Sequence, residues 1–241
     1  MIRKTLGKVV PPHTILPLLL TALSMLCSYQ AAKMYQIIFG FSDAQNLSLP
    51  IDGKLPFLPG WGWIYIGAFP FWIYIYTTVA RDSKELACKM AVADVVGKLI
   101  CLLFFLFLPT TNTRPQVHGS GLSPLLMRII YALDTPTNLF PSIHCFVPWL
   151  GTRCMLSAKN LKKKWLHCTC SFVGTLLVFA STQFTKQHVL VDVFGGIAVA
   201  EFGLLIARIT PLPQLLSKGN DAFTETKLGK FLIRISFPAT K

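Results

Sequence analysis

Charge is scarce in this chain. Only 14% of its 241 residues are Asp, Glu, Lys or Arg, against about 25% in soluble proteins. The deficit is concentrated in long apolar runs, which argues against a pair of soluble domains and for one helical membrane domain. Cysteine supplies no framework. The seven cysteines are an odd number, most lie inside apolar runs (Cys27, Cys101, Cys145, Cys154, Cys168 and Cys170), and no pair has zinc-site spacing with accompanying histidines. They read as small apolar packing residues, the Cys168–Cys170 pair included. Internal repeats and low-complexity tracts are also lacking.

What the chain does have is six hydrophobic segments: His13 to Ala32, Trp61 to Val79, Lys89 to Leu108, Ser142 to Ala158, Trp165 to Thr182 and Val189 to Ile209. Each approaches the length a tilted helix needs to cross about 30 Å of hydrocarbon, and the fourth is the shortest. The second, WGWIYIGAFPFWIYIY, clusters aromatics toward both ends as an interfacial belt does. The expected fold is therefore all-α, a polytopic bundle of six transmembrane helices. Residues 1–60 would hold the first span and an external loop, 61–210 the remaining spans, and 211–241 a basic cytoplasmic tail. The N-terminal stretch imitates a secretory signal, but the charge pattern calls for an uncleaved first span.

That pattern is one-sided. With the N-terminus inside, the inner segments hold Arg3, Lys4, Lys8, Arg81, Lys84, Lys89, Lys159, Lys162, Lys163, Lys164, Arg208, Lys218, Lys227, Lys230, Arg234 and Lys241. The outer segments hold Lys33, Lys54, Arg114, Arg128 and Lys186, so the count is sixteen against five. The positive-inside rule then puts both termini in the cytoplasm. The net charge of +13 is a topology signal, and its distribution resembles no nucleic-acid face. Few charges and no retention signal suit a plasma membrane. After Pro211 and Pro213 the chain reads as a loosely ordered tail, with KLGKFLIRISF against the inner leaflet as the alternative.

This topology brings three polar clusters to the external face: TTNTRPQ with Arg114 and Pro115, FPSIHC with Ser142 and His144, and STQFTKQHVLVD with Ser181, Lys186, His188 and Asp192. Their chemistry suits phosphate. Arg114 can clamp two phosphate oxygens with its planar fork, and Lys186 adds a mobile charge. Ser142 opens a helix, where free N–H groups favour an anion. Asp192, four residues after His188, is placed to hold that ring in one tautomer so that it can attack phosphorus. His144 can protonate the departing oxygen, and no metal or cofactor is needed.

The three clusters resemble the three-part signature of the type 2 phosphatidic acid phosphatase superfamily, K-x6-RP, PSGH and SR-x5-H-x3-D. That resemblance covers roughly Lys89 to Arg208. It implies a six-helix membrane enzyme that removes or transfers phosphate groups on lipids. It also implies a phosphohistidine at His188 oriented by Asp192, with His144 as acid and Arg114, Ser142 and Ser181 holding phosphate. The chain departs from the signature at Phe107 for lysine, Ile143 for glycine and Thr182 for arginine. The last two departures resemble the branch of sphingomyelin and inositol phosphorylceramide synthases, which transfer phospho-headgroups. A site with fewer cations suits a phosphodiester.

The expectation is thus a lipid-phosphate phosphatase acting at the external face. Headgroup transfer is the alternative, and an inactive relative that binds lipid phosphates is the second. A metal site built from His144, His188 and Asp192 is a further idea. Asp94, Lys98 and Glu201 lie inside spans and read as a buried structural network in which Asp94 and Lys98 neutralise each other. Gly196 and Ala200 form a step for close helix packing. His13, His118 and His167 stand apart from any motif.

Overall fold

The computed structural model describes residues 11, 14–40 and 44–236. Arg3, Lys4, Lys8 and Lys241, used above to orient the chain, lie outside the described residues, as does His13.

Among the described residues, regular structure is helical apart from one pair of two-residue strands. In chain order the elements are α1 (Ile15–Phe39), β1 (Gln45–Asn46), α2 (Pro50–Lys54), α3 (Gly62–Ala80), α4 (Lys84–Phe107), β2 (Thr110–Thr111), α5 (Leu122–Leu133), α6 (Ile143–Ser157), α7 (Lys164–Phe184), α8 (Leu190–Ile209), α9 (Leu212–Glu225) and α10 (Lys227–Ser236). Strands β1 and β2 pair in parallel and tie the segment after α1 to the one after α4.

Five helices, α1, α3, α4, α7 and α8, are long and apolar enough to cross a membrane. They match five of the six segments expected from the sequence. The fourth segment, Ser142 to Ala158, forms α6, which has only 15 residues. At 1.5 Å per residue it rises only about 22 Å. It is the most enclosed helix, packed against α3, α4, α7 and α8. Its interior face carries Phe146, Leu150 and Met155, all fully buried. The long helices instead turn apolar side chains outward, such as Ile37 on α1, Phe107 on α4 and Ile209 on α8. An apolar exterior of this kind suits a lipid surround.

Local chemistry sets the helix ends. Ser83 caps α4 by accepting from Leu86 N at 3.2 Å, and Ser142 caps α6 by accepting from Cys145 N at 3.3 Å. Between α6 and α7, Thr152 bonds Ser171 at 2.7 Å and Thr175 at 2.9 Å. Where α8 crosses α6 the backbones approach so closely that a Cβ on Gly196 would lie 2.7 Å from Ser142 O. Gly196 therefore does what the small-residue step predicted.

Asp94 and Lys98 form a buried ion pair at 2.7 Å. Asp94 also accepts from Tyr76 of α3 and from Ser24 of α1 at 3.2 Å, and Lys98 donates to Thr21 O at 2.9 Å. Three helices are pinned by one charge pair. Glu201 does not belong to this network, contrary to the expectation. It pairs with Arg153 at 2.7 Å, and both side chains are about two-fifths exposed. Of the cysteines, Cys88, Cys101, Cys145 and Cys154 are buried, whereas Cys27 and Cys170 face outward, and all seven are free thiols. His167 shares a hydrogen bond with Tyr74 at 2.7 Å.

The tail differs from the loose segment expected. Helix α9 folds back on α1 and α4, where buried Asn220 accepts from Leu16 N at 3.1 Å and Asp221 pairs with Lys84. Capping the free amide of α1 gives this segment a reason to order.

The charge pair yields a test. Lys98→Met strands a buried carboxylate and is expected to cost about 3–5 kcal/mol. The double variant Asp94→Asn/Lys98→Met removes both charges and is expected to cost less. Thermal unfolding of the two proteins in the same detergent compares them.

Candidate active site

The site begins at the entry to α8. Lys186 adopts a left-handed φ of 54°, which turns the chain after α7. Thr182 O then accepts from both Gln187 N, at 3.0 Å, and His188 N, at 3.1 Å. Asp192 lies in the first turn of α8 and is fully buried. Its Oδ2 accepts from Val189 N at 3.0 Å and lies 3.1 Å from His188 Nδ1. A carboxylate beside free helix N–H groups is favourably placed, and as an acceptor it holds the proton of His188 on Nδ1. The Nε2 of His188 is then the basic nitrogen.

The residues after α4 supply Arg114. Its Nη2 donates to Gln187 Oε1 at 2.5 Å, its Nη1 donates to Asp134 O, and Nε has no protein partner. The guanidinium lies over the ring of Tyr131, 4.9 Å from its centroid, and Tyr131 itself donates to Thr185 O at 2.7 Å. Burial lowers the pKa of Arg114 from its ordinary value, but an arginine keeps its charge across the working range.

His144 stands in the first turn of α6, two residues beyond the capping Ser142. Its ring stacks on Tyr65 at 4.4 Å and meets Trp72 at 5.1 Å and Phe69 at 5.8 Å. The ring of His188 faces it with centroids 6.0 Å apart. The two N-termini are held in register because Ser142 N donates to Asp192 O at 3.2 Å.

A cavity of about 570 Å³ opens on this arrangement, lined by Arg114, Lys186, His188, Asn112, Gln183 and the α2 segment among others. The structure thus brings Arg114, Lys186 and His188 to one cavity, with Asp192 behind His188 and His144 beside it. It does not bring in Ser142 or Ser181. Both are fully buried, and Ser181 donates its hydroxyl to Val178 O at 2.7 Å. Lys186 lines the cavity, yet its ammonium donates to Asp52 O and Leu55 O, both at 2.7 Å, and burial lowers its pKa.

Sequence reasoning overlooked Tyr65, Asn112, Tyr131, Asp134, Gln187 and Asp52. Asp52 closes the far wall, accepting from Leu190 N at 2.8 Å and Leu49 N at 2.7 Å. The signal available was scarcity, since Asp52 and Asp134 are two of only ten acidic residues. Among the described residues, no group of three or more His, Cys, Asp or Glu is arranged to hold a metal ion.

Comparisons with protein-family models, curated proteins and solved structures found no match for the chain.

Asp52 and Lys186 together fasten the segment between α1 and α3 over the cavity. Asp52→Ala removes two bonds to backbone amides, each contributing about 1.5–3 kcal/mol as a charged hydrogen bond. Amide hydrogen exchange over residues 44–58 is expected to accelerate at least about tenfold, whereas exchange in α4 should stay unchanged.

Proposed function

We propose that the chain is an integral membrane lipid-phosphate phosphatase that works through a phosphohistidine, as in the type 2 phosphatidic acid phosphatases its motifs resemble. The observation that carries this reading is the Asp192–His188 pair, with His188 and Arg114 lining one cavity and the ring of His144 6.0 Å from that of His188. In this reading α6 is the short fourth span and both termini are cytoplasmic. The site then faces the exterior of a plasma membrane, recessed where the short helix begins. The lipid tail remains in the bilayer and only the phosphate enters.

His188 Nε2 attacks phosphorus while Arg114 neutralises charge on the phosphate oxygens. The phosphorus–oxygen bond to the lipid breaks, and the leaving oxygen takes a proton from Nε2 of His144. Asp192 keeps the Nδ1 proton of His188 and balances the charge on that ring. Water then gives a proton to His144 and attacks phosphorus. The phosphorus–nitrogen bond breaks and inorganic phosphate leaves, returning both histidines to their starting state. Nothing in this sequence requires a cofactor.

One observation favours a second reading. With the Lys186 ammonium committed to two carbonyls, the cation left for phosphate is Arg114. That is a better match for a singly charged phosphodiester, as in headgroup transfer, where a lipid hydroxyl takes the place of water.

The test is phosphate release by purified protein from a panel of lipid phosphates in detergent containing chelator. Release is expected, and His188→Ala is expected to lower it at least about a hundredfold. Silence on this panel, with headgroup transfer to diacylglycerol or ceramide, would establish the second reading. Release that survives His188→Ala would sink both.

A further inference from the structure

We propose that Tyr65 and Asp134 are positioning residues for His144, joined to it by a hydrogen-bond chain that fixes which ring nitrogen faces the reaction. The inference rests on the phosphatase reading for its catalytic meaning, although the chain itself is a matter of geometry.

Asp134 follows α5 directly, and its side-chain Oδ2 accepts from the Tyr65 hydroxyl at 2.9 Å. The same hydroxyl lies 3.5 Å from His144 Nδ1. A tyrosine has one proton to give, and a carboxylate can only accept. The shorter bond therefore takes that proton, and toward His144 the tyrosine oxygen offers a lone pair. Nδ1 of His144 must then carry hydrogen. This leaves Nε2, which is buried and without a protein partner, as the nitrogen that exchanges protons at the site. At 3.5 Å the second bond is at the limit of hydrogen bonding, as catalytic contacts often are before substrate tightens them.

Charge supports the same arrangement. His144 sits among Tyr65, Phe69 and Trp72, an environment that penalises the imidazolium the acid step needs, and a carboxylate linked through Tyr65 offsets that penalty. The groups around it are Tyr65 of α3 with Asp134 behind it, and His188 with Asp192 behind it at the entry to α8. Asp192 bonds the His188 ring, so the carboxylate linked to His144 is Asp134. Its backbone carbonyl meanwhile accepts from Arg114. One residue thereby sets both the phosphate clamp and the proton donor. Each histidine of the site has a carboxylate, one in direct contact and one through a tyrosine.

Two measurements on the full chain in detergent test this. Protein labelled with 15N-histidine reports the tautomer of each ring, and His144→Gln identifies the His144 signals. At a pH where the ring has lost its Nε2 proton, the wild type is expected to show His144 protonated on Nδ1, and Tyr65→Phe and Asp134→Asn to shift it to a mixture of tautomers. An unchanged His144 spectrum in both variants would overturn the proposal.

The second measurement compares a long-chain lipid phosphate with p-nitrophenyl phosphate, whose leaving group needs no proton. Losing a positioned acid is expected to slow the first about 10²-fold and leave the second within about threefold. Equal losses on both substrates would mean a structural role and would also overturn it. If the wild type releases no phosphate, the hydrolase reading fails, while the tautomer spectrum still decides the chain.

Discussion

The close crossing of α6 on α8 is the constraint from which the rest follows. With no side chain at Gly196, the backbone of α8 reaches that of α6, where a Cβ would lie 2.7 Å from Ser142 O and 2.9 Å from Phe146 N. At that separation Ser142 N can donate to Asp192 O. The bond aligns two helix N-termini whose first turns each carry a candidate site residue, His144 on one and Asp192 on the other. The 6.0 Å between the two histidine rings is a consequence of this contact.

Around that crossing, the fold meets the demand that polar groups in an apolar surround find partners inside the protein. Asp94 takes partners from α1, α3 and its own helix. Asp52 takes two backbone amides, and Asp134 takes Tyr65 while lending its carbonyl to Arg114. The acidic residues are few and these three are used as fasteners. Several buried polar atoms at the site stay unpaired instead, among them Arg114 Nε, His144 Nε2, Gln187 Nε2 and Asp192 Oδ1. Unpaired buried groups are costly to a fold, and a ligand that reaches them can pair them.

Much of this was legible in the chain. Hydrophobic runs located five long helices, because a span must be continuous and apolar to be one. The spacing of His188 and Asp192 foretold their contact, although it arises because Asp192 in the first turn reaches back over the helix start to Val189 N and His188. Lys186, Ser142 and Ser181 were less legible. Their types suit phosphate, but a lysine donates to whatever oxygen is nearest and a serine at a helix end or within a buried turn spends its hydroxyl on the backbone. The short fourth segment was visible as short, yet its enclosure by four other helices was not.

The sequence by itself determined what is local: which stretches are apolar, which faces of a helix align and where charge is permitted. These follow from periodicity and from the cost of placing charge in hydrocarbon. Only the tertiary structure decided that Asp134 and Tyr65 meet His144, that Gln187 meets Arg114, and that Asp52 closes the cavity from the other side. Those partners are separated by as many as 138 positions in the chain. No local rule links them, because their contacts exist only once the helices have packed.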